Sequence, residues 1–170
     1  MLTSAVFQVG AQGAAPDAWV GKWKGSLATY GAADTLRLSV PVTLEITKES
    51  PIAYKWHTVY AADTTRGAKD YRMRVIDVAA GRYVTDESNG ILIDAIFMGG
   101  ALISVFQVGE RMFENRITLV GDALVQDLIW WRTTSERTTT GSGGRAAEVQ
   151  AFRIDGRQRT VVHRDSTARR

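Results

Sequence analysis

The sequence predicts an all-β fold: a single antiparallel meander β-barrel of about eight to ten strands, with little or no helix. Two-residue turn signals recur at short intervals, and one long segment alternates between apolar and polar residues. Strands joined by such short turns pair antiparallel, and a sheet of this kind removes its free edges by closing on itself. A two-sheet sandwich is the competing closure, because turn lengths alone do not reveal Greek-key connections.

The turn signals lie in the second half of the chain, 10, 10 and 12 residues apart. They are the dipeptides Asn89-Gly90, Gly99-Gly100, Gly109-Glu110 and Gly121-Asp122. Glycine supplies the positive φ that tight hairpin turns require, so each dipeptide predicts a hairpin. The segments between and after them are rich in β-branched, aromatic and other apolar residues, and are predicted as strands at 91–98, 101–108, 111–120 and 123–133.

The strongest strand signal is the segment 36–46, in which every even-numbered residue is apolar and the odd-numbered residues are polar except Pro41. This period of two predicts a strand with one buried and one wet face, and Pro41 predicts a bulge or a non-donating position. Asp155-Gly156 is predicted to form a final hairpin, and residues 135–144 a flexible loop. The other strands are predicted at 23–30, 53–60, 71–77, 82–85, 149–154 and 160–164.

The N-terminal segment has the character of a processing signal. Residues 1–16 carry no charge and combine a short apolar run with small residues, which resembles the second half of a secretory signal peptide. Export to the periplasm or the exterior is therefore favoured over a cytoplasmic location. The predicted division is a signal-peptide remnant or flexible arm at 1–18, the barrel domain at 19–165 and a disordered tail at 166–170.

Composition excludes several classes of protein. The 170 residues include no cysteine, which excludes disulfide scaffolds, thiolate metal sites and cysteine nucleophiles. The net charge is only +3, and the nine arginines within 132–170 are diluted by Thr, Ser and Gly, so nucleic acid is not a predicted partner. No apolar stretch is long enough for a membrane-spanning helix, so no membrane span is predicted.

The first predicted strand opens with Gly21-x-Trp23-x-Gly25. Its Gly-x-Trp resembles the motif that begins the first strand of the calycin superfamily, and the longer form resembles the opening of the nitrobindin-like branch. The resemblance implies a lipocalin-like barrel in which Gly21 and Trp23 close one end and an arginine from a late strand packs across the Trp ring. The candidate arginines are Arg132, Arg153 and Arg164.

Motifs for catalysis and metal binding are missing from the sequence. His57 and His163 do not have metal-ligand spacing, and there is no nucleophile elbow or phosphate loop, so neither enzymatic activity nor a cofactor is predicted. The nitrobindin-like resemblance implies one exception, a late histidine that binds haem iron, for which His163 is the counterpart. Asp94 interrupts an apolar strand, and we predict a structural pair with Arg116 or Arg132 rather than a catalytic acid.

The predicted function is non-enzymatic binding of a small apolar or amphipathic ligand inside the barrel. We expect inward-facing side chains to line the site, with Arg116 or Arg132 holding an anionic group of the ligand. The predicted lining residues are Leu38, Val40, Val42, Leu44, Tyr54, Trp56, Tyr71, Met73, Phe106, Arg116, Trp130 and Arg132. In the alternative, these side chains fill the interior and the barrel is a structural or protein-interaction module.

Three predicted strands, 91–98, 101–108 and 123–133, are apolar on both faces. Antiparallel strands of this composition are normally covered on both sides. The outer face is therefore predicted to form a homodimer, with the uncharged N-terminal arm as the competing cover.

Overall fold

The computed structural model describes residues 16–61, 67–142 and 147–165. It confirms the predicted fold class, because ten antiparallel strands form a closed meander barrel in which the first nine strands follow chain order and the last strand of the chain closes the barrel between the ninth and the first. Two 3₁₀ turns accompany the strands, at Asp17–Trp19 and Ala32–Asp34. The strands are β1 (Gly21–Tyr30), β2 (Leu36–Ser50), β3 (Ala53–Tyr60), β4 (Ala68–Asp77), β5 (Arg82–Asp86), β6 (Leu92–Met98), β7 (Ala101–Val108), β8 (Arg111–Val120), β9 (Ala123–Arg132), β10 (Arg137–Thr140), β11 (Glu148–Ala151) and β12 (Ile154–Arg164).

The predicted turns join β5 to β6, β6 to β7, β7 to β8 and β8 to β9. The glycines of these turns all have positive φ, with values such as 60° and 80° at Gly99 and Gly100. A side chain with a Cβ is strained in this conformation, which explains why glycine marks each reversal of the chain.

Two predictions near the C-terminus were wrong. The segment 135–144, expected to be a loop, contains β10, which pairs with β11 in a separate two-stranded sheet. Asp155-Gly156 does not turn the chain, because β12 runs continuously and only shifts its register against β9 between Ile154 and Gly156. The Trp130 ring occupies the place where a Cβ of residue 156 would lie, so glycine here allows close approach rather than a hairpin.

The barrel has two different ends. At the closed end, where β1 begins and β2 ends, large side chains pack into a core that includes Trp19, Trp23, Ile46, Tyr54 and Val162. At the open end, where β1 ends and β2 begins, the interior is not filled. The chain therefore places its hydrophobic core in one half of the barrel and leaves space in the other half.

The packing at the closed end includes residues that precede β1. Pro16 is buried and Trp19 is 2% exposed. The rest of the predicted signal segment, at 1–15, and the predicted tail at 166–170 lie outside the described residues. Within the described ranges, no helix combines the length and apolar character needed to cross a bilayer.

Candidate functional site

The candidate site is a cavity of about 210 Å³ in the open half of the barrel. Side chains from nine of the ten barrel strands point into it, together with one residue from the connection after β5. The lining residues are Val42, Leu44, Trp56, Thr58, Tyr60, Tyr71, Met73, Thr85, Glu87, Ile93, Leu102, Ser104, Phe106, Asn115, Ile117, Gln126, Leu128, Gln158 and Thr160.

One wall of the cavity is mainly apolar and aromatic. It is built by β3, its neighbour β4, and β6 on the far side of β5, which contribute Trp56, Tyr60, Tyr71, Met73 and Ile93. Trp56 and Tyr71 lie directly opposite each other in the register of β3 and β4, so both side chains point to the same face of the sheet. This wall can pack against the apolar part of a bound molecule.

The opposite wall is polar. The neighbouring strands β8, β9 and β12 contribute Asn115, Gln126, Gln158 and Thr160. Gln126 Nε2 donates a hydrogen bond to Asn115 Oδ1 at 2.9 Å, and this bond orients both amides. Asn115 Nδ2 is left as a donor and Gln126 Oε1 as an acceptor, so this wall can hydrogen-bond an uncharged polar group.

Among the lining residues that the structure describes, Glu87 is the only Asp, Glu, Lys or Arg. It follows β5 at the open end, where Asn89 Nδ2 donates a hydrogen bond of 3.4 Å to its Oε2. The Tyr71 side chain is close enough for Glu87 to affect it: burial, with smaller contributions from Tyr60 and Glu87, raises the pKa of Tyr71 to about 12. Burial also raises the pKa of Tyr60, so both phenols are neutral at pH 7.

A buried indole nitrogen without a partner lies in the apolar wall. Trp56 Nε1 is inaccessible and makes no hydrogen bond with the residues that the structure describes. The Trp56 ring meets the edge of Trp19 with a centroid distance of 5.9 Å, so it lies between the cavity and the closed-end core. An unsatisfied buried donor costs roughly 1–3 kcal/mol, so this nitrogen is a local energetic deficit in the apolar wall.

The closed end is held by the 3₁₀ turn Asp17–Trp19. Tyr54 donates its hydroxyl to Asp17 Oδ1 at 2.5 Å, and Lys48 Nζ donates to the same oxygen at 2.7 Å. These two bonds, of which the one from Lys48 has the larger effect, hold the pKa of Asp17 below its ordinary value. Trp23 donates its indole N–H to the Trp19 carbonyl at 2.9 Å, and this bond fixes the turn over the core.

Half of the predicted lining residues do line the cavity, namely Val42, Leu44, Trp56, Tyr71, Met73 and Phe106. Tyr54 is inside the barrel but belongs to the closed-end core. Val40 packs against that core without lining the cavity, and Trp130 packs beside Phe113 at the open end.

Three predicted lining residues do not face the cavity. The Arg116 side chain is 53% exposed and bonds Glu114 on the outer surface, because Asn115 and Ile117 are the inward positions of β8. Arg132 is 68% exposed at the end of β9, where its Nε lies 3.6 Å from Asp155 Oδ2. Leu38 is 50% exposed, because β2 pairs with β3 only from Val42 onward.

The other residues singled out by the sequence lie on the outside. His57 Nδ1 is 2.9 Å from Asp70 Oδ1, and His163 Nδ1 is 3.6 Å from Asp122 Oδ1, so neither histidine faces the cavity. The implied haem does not fit, since its expected iron ligand, His163, is on the outer surface. Asp94 is exposed and opposite Val84, and the structure shows no pairing of Asp94 with Arg116 or Arg132 among the described ion pairs.

The cavity residues that sequence reasoning missed are the polar ones. The inward positions of β8, β9 and β12 include Asn115, Gln126 and Gln158, whose polarity is typical of outward positions. In the strand register, Asn115 and Gln158 both lie opposite Leu128, and Gln126 lies opposite Thr160. This pairing was the signal that could have placed them inside.

The predicted packing of an arginine across Trp23 is present, and Arg164 is the residue that provides it. Arg132 and Arg153, the other two candidates, lie at the open end near Asp155. No protein-family model matches the chain, and no significant match is found among curated proteins. The closed antiparallel barrel of ten strands, almost without helix, fits a calycin-like fold.

Proposed function

We propose that this protein binds a small amphipathic molecule inside the barrel without transforming it. The observation that carries the proposal is the cavity itself, which is open at one end and combines an aromatic wall with an amide wall. Ligand sites in proteins are typically concave and mostly apolar, with a few convergent polar groups that fix orientation. The two walls described above have this composition.

The volume limits the size of the ligand. A cavity of roughly 150 Å³ holds benzene, whereas drug-sized ligands occupy roughly 300–1,000 Å³. The cavity of about 210 Å³ lies between these values. It therefore suits a compact molecule of about ten non-hydrogen atoms, such as a substituted phenyl ring.

A filled barrel, the alternative function, requires side chains to occupy this space. The cavity wall includes the buried Ser104, Thr58 and Thr160, whose hydroxyls can hydrogen-bond a polar guest. Such groups around an unfilled space support binding over a purely structural role. The proposal is of a binding protein rather than an enzyme, because the polar wall consists of amides and hydroxyls without a histidine base.

The experiment places a larger side chain in the cavity by substituting one of its lining residues. In the Ser104→Phe variant, a phenyl ring enters the cavity, whereas in the matched Val149→Phe variant it enters solvent, since Val149 is 56% exposed on β11. Native mass spectrometry of the purified wild-type protein should detect a co-purifying small molecule. Ser104→Phe should lose it and Val149→Phe should retain it, with thermal unfolding recorded to show that both variants fold. Equal retention by both folded variants would place the molecule outside the cavity and contradict the proposal.

We also propose that the protein self-associates through the outer face of β6, β7 and β9. On this face Ile96 and Ile103 lie opposite each other, and Val105 is exposed. Exposed apolar side chains favour a protein contact over permanent exposure to water. Between β7 and β9, β8 places the Arg116–Glu114 ion pair on the same outer surface, so the apolar part of the contact lies on β6 and β7.

A further inference from the structure

We propose that the ligand carries an organic ammonium group, held at the open end of the cavity by Glu87 and the phenol rings of Tyr60 and Tyr71. This inference rests on the proposed binding function and names the chemical class of the ligand's polar group. The apolar body of the ligand would then extend toward Trp56 and Met73, deeper in the barrel.

The charge of the cavity lining favours a cationic ligand. Among the lining residues that the structure describes, Glu87 is the only carboxylate, and no lysine or arginine accompanies it. The arginines expected to hold an anion, Arg116 and Arg132, bond carboxylates outside the cavity. An anionic ligand would face an unneutralised carboxylate in a partly desolvated space, whereas a cation would neutralise it.

Two phenol rings line the cavity with Glu87. One step beyond the Arg72–Asp86 pair, the register of β4 and β5 places Tyr71 opposite Glu87. Tyr60 lines the same cavity, and both Tyr60 and Glu87 contribute to the raised pKa of Tyr71, as expected if the two rings and the carboxylate lie close together. Aromatic faces attract cations, and a carboxylate among neutral aromatic rings is the arrangement that recognises ammonium groups.

The fold leaves the Glu87 carboxylate with few partners. Among the residues that the structure describes, its one side-chain hydrogen bond is the long contact from Asn89, and no ion pair joins it. By contrast, the neighbouring Asp86 is paired with Arg74 at 2.7 Å. The Glu87 carboxylate, which faces the cavity, is thus available to a ligand, while the Asp86 carboxylate beside it forms an ion pair within the barrel.

The test compares three probes that share a phenylethyl-type body: 2-phenylethylamine, 2-phenylethanol and phenylacetate. Binding to the full chain at pH 7 is measured by calorimetry and by the change in tryptophan fluorescence, because Trp56 lies in the cavity wall. The ammonium should bind at least about tenfold more tightly than the alcohol, and the carboxylate most weakly, as expected for a charge pair in a partly screened site.

Glu87→Gln keeps the shape of the wall and removes its charge. This variant should bind the ammonium and the alcohol equally, whereas Glu114→Gln, which changes a carboxylate on the outer surface, should retain the preference for the ammonium. Binding of the alcohol without preference for the ammonium in the wild type would overturn the ammonium assignment and leave the cavity function standing. No binding of any probe at millimolar concentration would overturn both.

Discussion

The guanidinium of Arg164 lies over the indole ring of Trp23, 4.3 Å from the ring centroid, and joins the last strand of the barrel to the first. The same guanidinium donates hydrogen bonds to the Val20 carbonyl at 2.9 Å and to the Ala18 carbonyl at 2.8 Å. One side chain therefore covers the closed-end core and binds the backbone that leads into β1. Through this contact, the core and the backbone that enters β1 are packed together at the closed end.

Replacing Arg164 should destabilise the barrel. Arg164→Met keeps much of the apolar stem but removes the cation–π contact and both hydrogen bonds, with an expected loss of roughly 2 kcal/mol in the free energy of unfolding. Arg164→Lys should recover only part of this loss, because an ammonium cannot form the planar two-donor contact. Urea denaturation measures both, and Arg159→Met, an exposed position on the same strand, is the control. A loss no larger than that of the control would show that the contact contributes little.

The Asp17 carboxylate should make the free energy of unfolding depend on pH in the acid range. Its pKa is lowered in the folded protein from an ordinary value of 3.8, so the interaction stabilises the fold above about pH 4 and is lost as the pH falls through the folded pKa. Asp17→Asn should therefore lower the urea midpoint at pH 7, and its difference from wild type should shrink toward pH 2.

The control for this pH experiment is Asp34→Asn. Asp34 is exposed in the other 3₁₀ turn and has a positive φ that asparagine also tolerates. A difference between Asp17→Asn and wild type that stays constant from pH 7 to pH 2 would indicate lost packing rather than a lost charge interaction.

The Tyr71 phenol should ionise at a higher pH than an ordinary tyrosine. Burial raises its folded pKa to about 12 from 10.0, so its stabilising effect is present below pH 10 and is lost as the pH rises toward 12. An alkaline titration followed by phenolate absorbance should show a step near pH 12 that disappears in Tyr71→Phe. Tyr30→Phe, on β1 outside the cavity lining, should leave this step in place. Persistence of the step in Tyr71→Phe would assign it to another tyrosine.

The outer face of β6, β7 and β9 should mediate a dimer. Sedimentation at high micromolar concentration should give twice the monomer mass, and Val105→Glu should shift the equilibrium toward monomer by placing a charge in the contact. Val149→Glu introduces the same charge at an equally exposed valine of β11 and should leave the dimer intact. A wild-type protein that remains monomeric would contradict the prediction, and an intact Trp131→Glu dimer would exclude Trp131 from the contact.

Local features of the barrel were predictable from the sequence because their cause is local. Gly99 and Gly121 mark turns through their own backbone conformation, and the alternation in β2 matches the buried face from Val42 to Ile46, although Leu38 in the same row is exposed. The bulge at Gly156 was not predictable in this way. Its cause is the ring of Trp130, which is distant in sequence and reaches residue 156 only after β9 and β12 have paired.

The polar wall was missed for a different physical reason. On β8, the inward row contains Asn115 and the outward row contains Arg116, so both rows mix polar and apolar residues. Alternation separates the two faces only when one contacts hydrocarbon and the other contacts water. A cavity lined by amides has the composition of a wet surface, and pattern alone therefore assigned Arg116 to the wrong side.

The core that fills the closed end gives the cavity one route of entry. A molecule inside the barrel cannot leave past Trp19 and Trp23 without unfolding the closed-end core, so it must leave between the strand connections of the open end. The residence time of a bound molecule would then depend on those connections, whereas the lifetime of the folded chain depends on the opposite end. Substitutions near Glu87 should accordingly change dissociation rates with little effect on unfolding rates, and substitutions at Arg164 should do the reverse.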